Sequence, residues 1–100
     1  MTLRSYLFVP GDRPERFAKA LASAAHQVVI DLEDAVAPDA KVLAREQLAR
    51  WLRSDLPAAQ RPRVMVRVNA YGTPWHADDV AMLREAALRN VMVPKSESAE

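Results

Sequence analysis

The sequence predicts an α/β domain built on a parallel sheet, and two features carry that expectation. Four short β-rich apolar runs begin near residues 4, 27, 64 and 90. Between them lie stretches whose apolar residues recur at helical spacing, giving a strand–helix alternation in place of a meander.

The first strand is expected at residues 5–9 (SYLFV), closed by Pro10-Gly11; Asp12-Arg13-Pro14 then reads as an N-cap followed by an early helical proline. A helix over residues 15–25 places Phe17, Leu21 and Ala24 on one face with Arg16 and Lys19 off it. The second strand, residues 27–32, carries three consecutive β-branched residues, Val28, Val29 and Ile30, the mark of burial on both faces. Pro38-Asp39 opens a second helix over residues 39–53, with Val42, Leu43, Leu48, Trp51 and Leu52 as its apolar set, and Leu56-Pro57 ends it. Residues 64–68 (VMVRV) form a third strand, residues 69–75 (NAYGTPW) a loop, residues 78–88 a helix with Val80, Leu83 and Ala87 on one side, and residues 90–93 a fourth strand followed by Pro94-Lys95-Ser96-Glu97.

Composition narrows the function. With 14 Lys plus Arg against 13 Asp plus Glu, the chain lacks the basic excess of a nucleic-acid binder. The absence of cysteine removes disulfides, thiolate zinc sites and cysteine nucleophiles. No apolar run approaches the ~20 residues that span a bilayer, and the start MTLRSYLFVPGDR has too short an apolar core for a signal peptide, so a cytoplasmic protein is expected. His26 and His76 have no ligand-like spacing for zinc, and Trp51 and Trp75 read as packing residues. Neither a dinucleotide fingerprint, a phosphate loop nor a Ser-His-Asp set is present.

The chemistry concentrates where the second strand ends. Asp31, Glu33 and Asp34 fall within four residues, and two unit charges ~6 Å apart repel by about 3 kcal/mol at an effective dielectric near 20. Such clusters are offset by a cation, a basic side chain or a shared proton; the alternative is one capping acid with its neighbours solvated. Arg67, set among apolar residues of the third strand, needs a reason of its own. It could take a ligand carboxylate through two parallel hydrogen bonds, or pair with an acid of the neighbouring strand. Ligands collect at the C-terminal ends of parallel strands, so residues 10–13, 31–34, 67–69 and 94–97 are expected to share one rim.

Four ordered motifs, RSYLFVPGDRPERFAKAL, VVIDLEDAV, VRVNAYGT and VMVPKSES, together resemble the N-terminal part of the citrate lyase beta-subunit-like proteins, within the HpcH/HpaI aldolase and malyl-CoA lyase superfamily. The resemblance implies a (β/α)8 TIM barrel of which residues 1–100 form the N-terminal half, about four βα units of a single lyase domain. It implies a Mg²⁺-dependent (or Mn²⁺-dependent) carbon–carbon lyase that cleaves or forms a β-hydroxyacyl-CoA thioester such as citryl-CoA or malyl-CoA. It further implies that Arg67 binds the substrate carboxylate, that Phe8, Pro10, Gly11, Arg13 and Lys19 lie near coenzyme A, and that Asn69 and Lys95 complete the substrate side. Asp34, a catalytic position in this resemblance, and Glu33 would support the metal's water shell, with the direct ligands, a Glu and an Asp, on later strands outside these 100 residues. Two departures stand out: Glu15 occupies a position where some relatives carry lysine, and the fourth strand lacks a glycine commonly found just before it. The resemblance implies a homo-oligomer, a trimer or hexamer, with no nucleic-acid or membrane partner.

Competing expectations are an aldolase acting on a free 2-keto or 2-hydroxy acid, a lyase subunit active only in a larger complex, and a doubly wound signalling module. The last needs an aspartate acceptor at another strand end, where the third strand offers Arg67 and Asn69.

Overall fold

The computed structural model describes residues 5–94. Four strands, β1 (Tyr6–Pro10), β2 (Gln27–Asp31), β3 (Val64–Arg67) and β4 (Val91–Met92), form one parallel sheet in the order β1-β2-β3-β4. Each strand pairs with the one before it, through α1 (Phe17–Leu21), α2 (Lys41–Ser54) and α3 (His76–Glu85). This unpermuted order belongs to a sheet that winds in one direction, as in a barrel; a doubly wound sheet reverses direction partway.

The helices pack on one sheet face. Phe17, Ala20, Leu48, Leu52 and Leu83 join Val9, Val28, Ile30, Val64, Val66 and Val68 in a single buried cluster, and Phe17 meets Trp51 edge-on with ring centroids 5.0 Å apart. Strand alternation sends the intervening residues to the other face. There, register aligns Phe8 with Val29 and Met65, and one step further Pro10 with Asp31, Arg67 and Met92. Among the described residues no helix is long and apolar enough to cross a membrane.

Several element limits differ from the sequence expectations. The first helix is only a 3-10 turn (Pro14–Arg16) running into α1, with no side-chain cap from Asp12; it stops at Leu21, and Ala24 is exposed. Ser23 Oγ donates to Ala20 O at 2.6 Å, and Arg63 donates to the carbonyls of Leu21, Ser23 and Ala25, so these acceptors are satisfied without further helical turns. In α2 the buried stripe runs through Lys41, Ala44, Leu48, Ala49, Trp51 and Leu52, leaving Val42 and Leu43 exposed. The third helix starts at His76 and ends at Glu85 because Ala87 adopts φ 59°, and Leu88 N donates back to Leu83 O at 3.0 Å. That is a left-handed helix stop. It exposes Ala87, half-buries Val80 and buries Met82, Ala86 and Leu88.

Candidate functional site at the C-terminal rim

The two charged residues that looked out of place are neighbours in register, Asp31 opposite Arg67. Asp31, 2% exposed, receives Arg67 Nε on Oδ1 at 3.0 Å and Arg67 Nη2 on Oδ2 at 2.7 Å. The same two oxygens accept the backbone amides of Glu33 and Ala35 at 2.8 and 3.1 Å, fixing the turn that leaves β2. Four donors converge on one carboxylate. Burial alone pushes the Asp31 carboxyl up, but the hydrogen bonds and charge of Arg67 and the two amides outweigh it and hold the group below the usual range. Arg67 is correspondingly pushed up, chiefly by its hydrogen bonds to Asp31. Its guanidinium also lies 5.2 Å from the Phe8 ring centroid and 3.6 Å from Glu33 Oε1.

The Arg67 side chain, 24% exposed, thus uses its Nε–Nη2 side for pairing. Nη1 and the outer hydrogen of Nη2 form the opposite edge of the fork, and among the described residues Nη1 has no hydrogen-bond partner. The acid cluster at the end of β2 therefore divides: Asp31 is neutralised by a basic side chain, while Glu33 is half-buried and Asp34 exposed. No group of three or more His, Asp or Glu side chains able to hold a metal occurs among the described residues.

Two further positions escaped sequence reasoning. Lys41, 7% exposed, sends Nζ to the carbonyls of Leu32 and Glu33 at 3.0 and 2.6 Å and lies 5.3 Å from the Trp75 ring centroid. Burial draws its pKa down, opposed by Glu33, Asp31, Asp79 and Asp34. Asp79, 1% exposed, accepts Asn69 N and Nδ2 at 3.0 and 2.7 Å and Arg45 Nη1 at 3.3 Å. Asn69, expected on the substrate side, is 2% exposed, its amide bonds Asp79, and its carbonyl accepts His76 Nδ1 at 2.8 Å. Its visible role is to pin the loop after β3. The only sequence sign for Lys41 and Asp79 was a charge at the start of a helix, where solvation is the ordinary outcome.

Two clefts include rim residues. One, of about 320 Å³, is lined by Glu33, Asp34, Lys41, Asn69, Thr73 and Trp75 among others. The second, of about 370 Å³, follows the open side of β1 and brings together Phe8, Pro10 and Lys19 with Leu7, Arg16 and Ala20. Arg13 is exposed outside it. Gly11 is buried, and its own role is steric: a Cβ there would meet Leu32 Cδ2 at 2.8 Å and Asp31 O at 3.0 Å, the carbonyl that Gly11 N bonds at 2.8 Å. Lys95 lies outside the described residues.

A family model described as HpcH/HpaI aldolase/citrate lyase matches residues 4–100. A citrate lyase subunit beta-like protein of Mycobacterium tuberculosis is 49% identical over 94 residues, covering 94% of this chain and 32% of that protein. An L-malyl-CoA/beta-methylmalyl-CoA lyase of Cereibacter sphaeroides is 41% identical over 95 residues, covering 92% of this chain and 29% of its own length. The crystal structure of CitE from Mycobacterium tuberculosis in complex with magnesium, acetoacetate and coenzyme A superposes with a TM-score of 0.77 at 47% identity, over 92% of this chain and 32% of that one. The sheet thus matches the N-terminal portion of a TIM-barrel-type fold. The chain spans about a third of the length of these relatives.

Proposed function

The chain belongs to the HpcH/HpaI aldolase/citrate lyase family, and from that premise we propose that the full-length protein is a Mg²⁺-dependent carbon–carbon lyase acting on a β-hydroxyacyl-CoA thioester of the malyl-CoA or citryl-CoA type. In this reading the present chain supplies the first four βα units of one barrel. The observation that carries it is Arg67: a guanidinium at the C-terminal end of a parallel strand, on the sheet face opposite the described helices, with one edge uncommitted among the described residues.

An oxo-acid carboxylate would seat on that edge, held by two charge-assisted hydrogen bonds that fix the direction of the adjoining keto group. A bound divalent cation would polarise the keto oxygen; Glu33 and Asp34 would meet its water shell. The cleft beside Phe8, Pro10 and Lys19 would take the coenzyme A portion, with Lys19 and Arg13 offering charge to its phosphates. Asn69 and Lys95 belong to the same proposal, Asn69 through the loop it pins. We read the protein as a cytoplasmic homo-oligomer.

The test is cleavage of malyl-CoA and citryl-CoA by the full-length protein with excess Mg²⁺ and with excess chelator. Activity on a thioester that chelation abolishes is expected. Activity on free 2-oxo or 2-hydroxy acids alone would move the protein to the aldolase reading, and equal activity in chelator would end the metal mechanism.

A further inference from the structure

Sequence reasoning set a substrate-binding Arg67 against an Arg67 paired with a neighbouring acid. The geometry removes the choice. A guanidinium has two forks, one formed by Nε with the inner hydrogen of one Nη, the other by the two Nη groups. Asp31 occupies the first with both oxygens, at 3.0 and 2.7 Å. It is anchored from behind by the Glu33 and Ala35 amides, and Lys41 grips the consecutive carbonyls of Leu32 and Glu33 within the same turn. The pair is therefore built to hold the arginine at a fixed angle.

We propose that Asp31 is a positioning residue that clamps the Nε–Nη2 side of Arg67 and so presents its Nη1–Nη2 edge to the carboxylate of a 2-oxo acid. This deepens the reading of Arg67 given above and rests on it. The arginine does not release Asp31 when ligand arrives; it carries two carboxylates at once, one on each fork.

The decisive measurements use the full-length enzyme in the condensing direction, with glyoxylate and acetyl-CoA as substrates. Asp31→Asn keeps an acceptor oxygen for one of the two backbone amides but loses the two-oxygen clamp, and it should raise KM for glyoxylate about tenfold or more while KM for acetyl-CoA stays within about twofold. In an Arg67→Gln background, Asp31→Asn should add less than about twofold, because its effect runs through the arginine. If Arg67→Gln raises KM for glyoxylate and Asp31→Asn alone does not, the clamp is wrong and the reading of Arg67 stands. If Arg67→Gln leaves KM for glyoxylate unchanged, the reading of Arg67 falls and the clamp with it. Should Asp31→Asn fail to fold, a crystal structure of the wild-type enzyme with Mg²⁺ and pyruvate decides. Asp31 still on Nε and Nη2, with the pyruvate carboxylate ~3 Å from Nη1 and Nη2, supports the clamp; pyruvate on the Nε side with Asp31 displaced overturns it.

Discussion

Arg63 and Arg67 sit four residues apart at opposite ends of β3, and they are used in opposite ways. Arg63 donates to the carbonyls of Leu21, Ser23 and Ala25 and to Gln60 Oε1, all within 3.3 Å. Near the same end, Arg61 donates to Leu52 O and Ala86 O, the exits of α2 and α3. The polarity of the fold explains this. Helices arrive at the N-terminal ends of the strands carrying unsatisfied carbonyls, which want donors. At the other end chains depart toward helix N-termini with unsatisfied amides, which want acceptors: Asp31 takes the amides of Glu33 and Ala35, and Asp79 takes that of Asn69. A cation is at home beside Arg63 and out of place at Arg67. The contrast teaches that Arg63 is explained by the carbonyls at its end of the sheet, whereas Arg67 answers no backbone group there and meets only side chains.

The strongest way to break this contrast is Arg67→Lys in the full-length enzyme. Lysine keeps the charge beside Asp31 but has no second fork, so kcat/KM should fall about 100-fold, roughly 2.7 kcal/mol of transition-state stabilisation, with Tm lower by only a few degrees. Wild-type kcat/KM with a large fall in Tm would make Arg67 a structural partner and erase the distinction. Arg63→Met should show the reverse pattern, a loss of about 1–3 kcal/mol in urea unfolding with kcat/KM within about twofold of wild type. A fall in activity without lost stability would mean the N-terminal end is not merely structural.

The smallest effect sharpens the chemistry of the pair. Because the folded Asp31 carboxyl titrates below its unfolded value near 4, its contribution is complete above that value and is lost as pH falls through the lower, folded one. The stability advantage of wild type over Asp31→Asn should accordingly be flat above about pH 5 and shrink below about pH 4, read from urea midpoints across that range. An advantage that persists unchanged at pH 2 would show that the carboxylate charge is not what holds the turn.

The β-branched runs made the strands legible to within one or two residues, because burial on two faces leaves few other uses for Val28-Val29-Ile30. Helix ends were harder. The α1 stop depends on Arg63, a residue more than forty positions away, and the α3 stop falls on Ala87, where a glycine would have signalled the left-handed turn. At the site, Asp31, Glu33, Asp34 and Arg67 were visible as charges against an apolar background, and their places at the C-terminal ends of parallel strands put them on one rim. What pattern could not supply was pairing: which acid meets Arg67, or that Lys41 and Asp79 are buried by partners eight and ten residues back in the chain.

The unpermuted order of the strands has a consequence for assembly. β2 needs only β1, β3 only β2, and β4 only β3. As the chain leaves the ribosome, β2, β3 and β4 each meet a partner already made. Loop closure then involves one βα unit at a time, so its entropic cost is met in small steps. The Asp31–Arg67 clamp forms at the second of these dockings, which makes the angle of the arginine an early event in the history of the molecule.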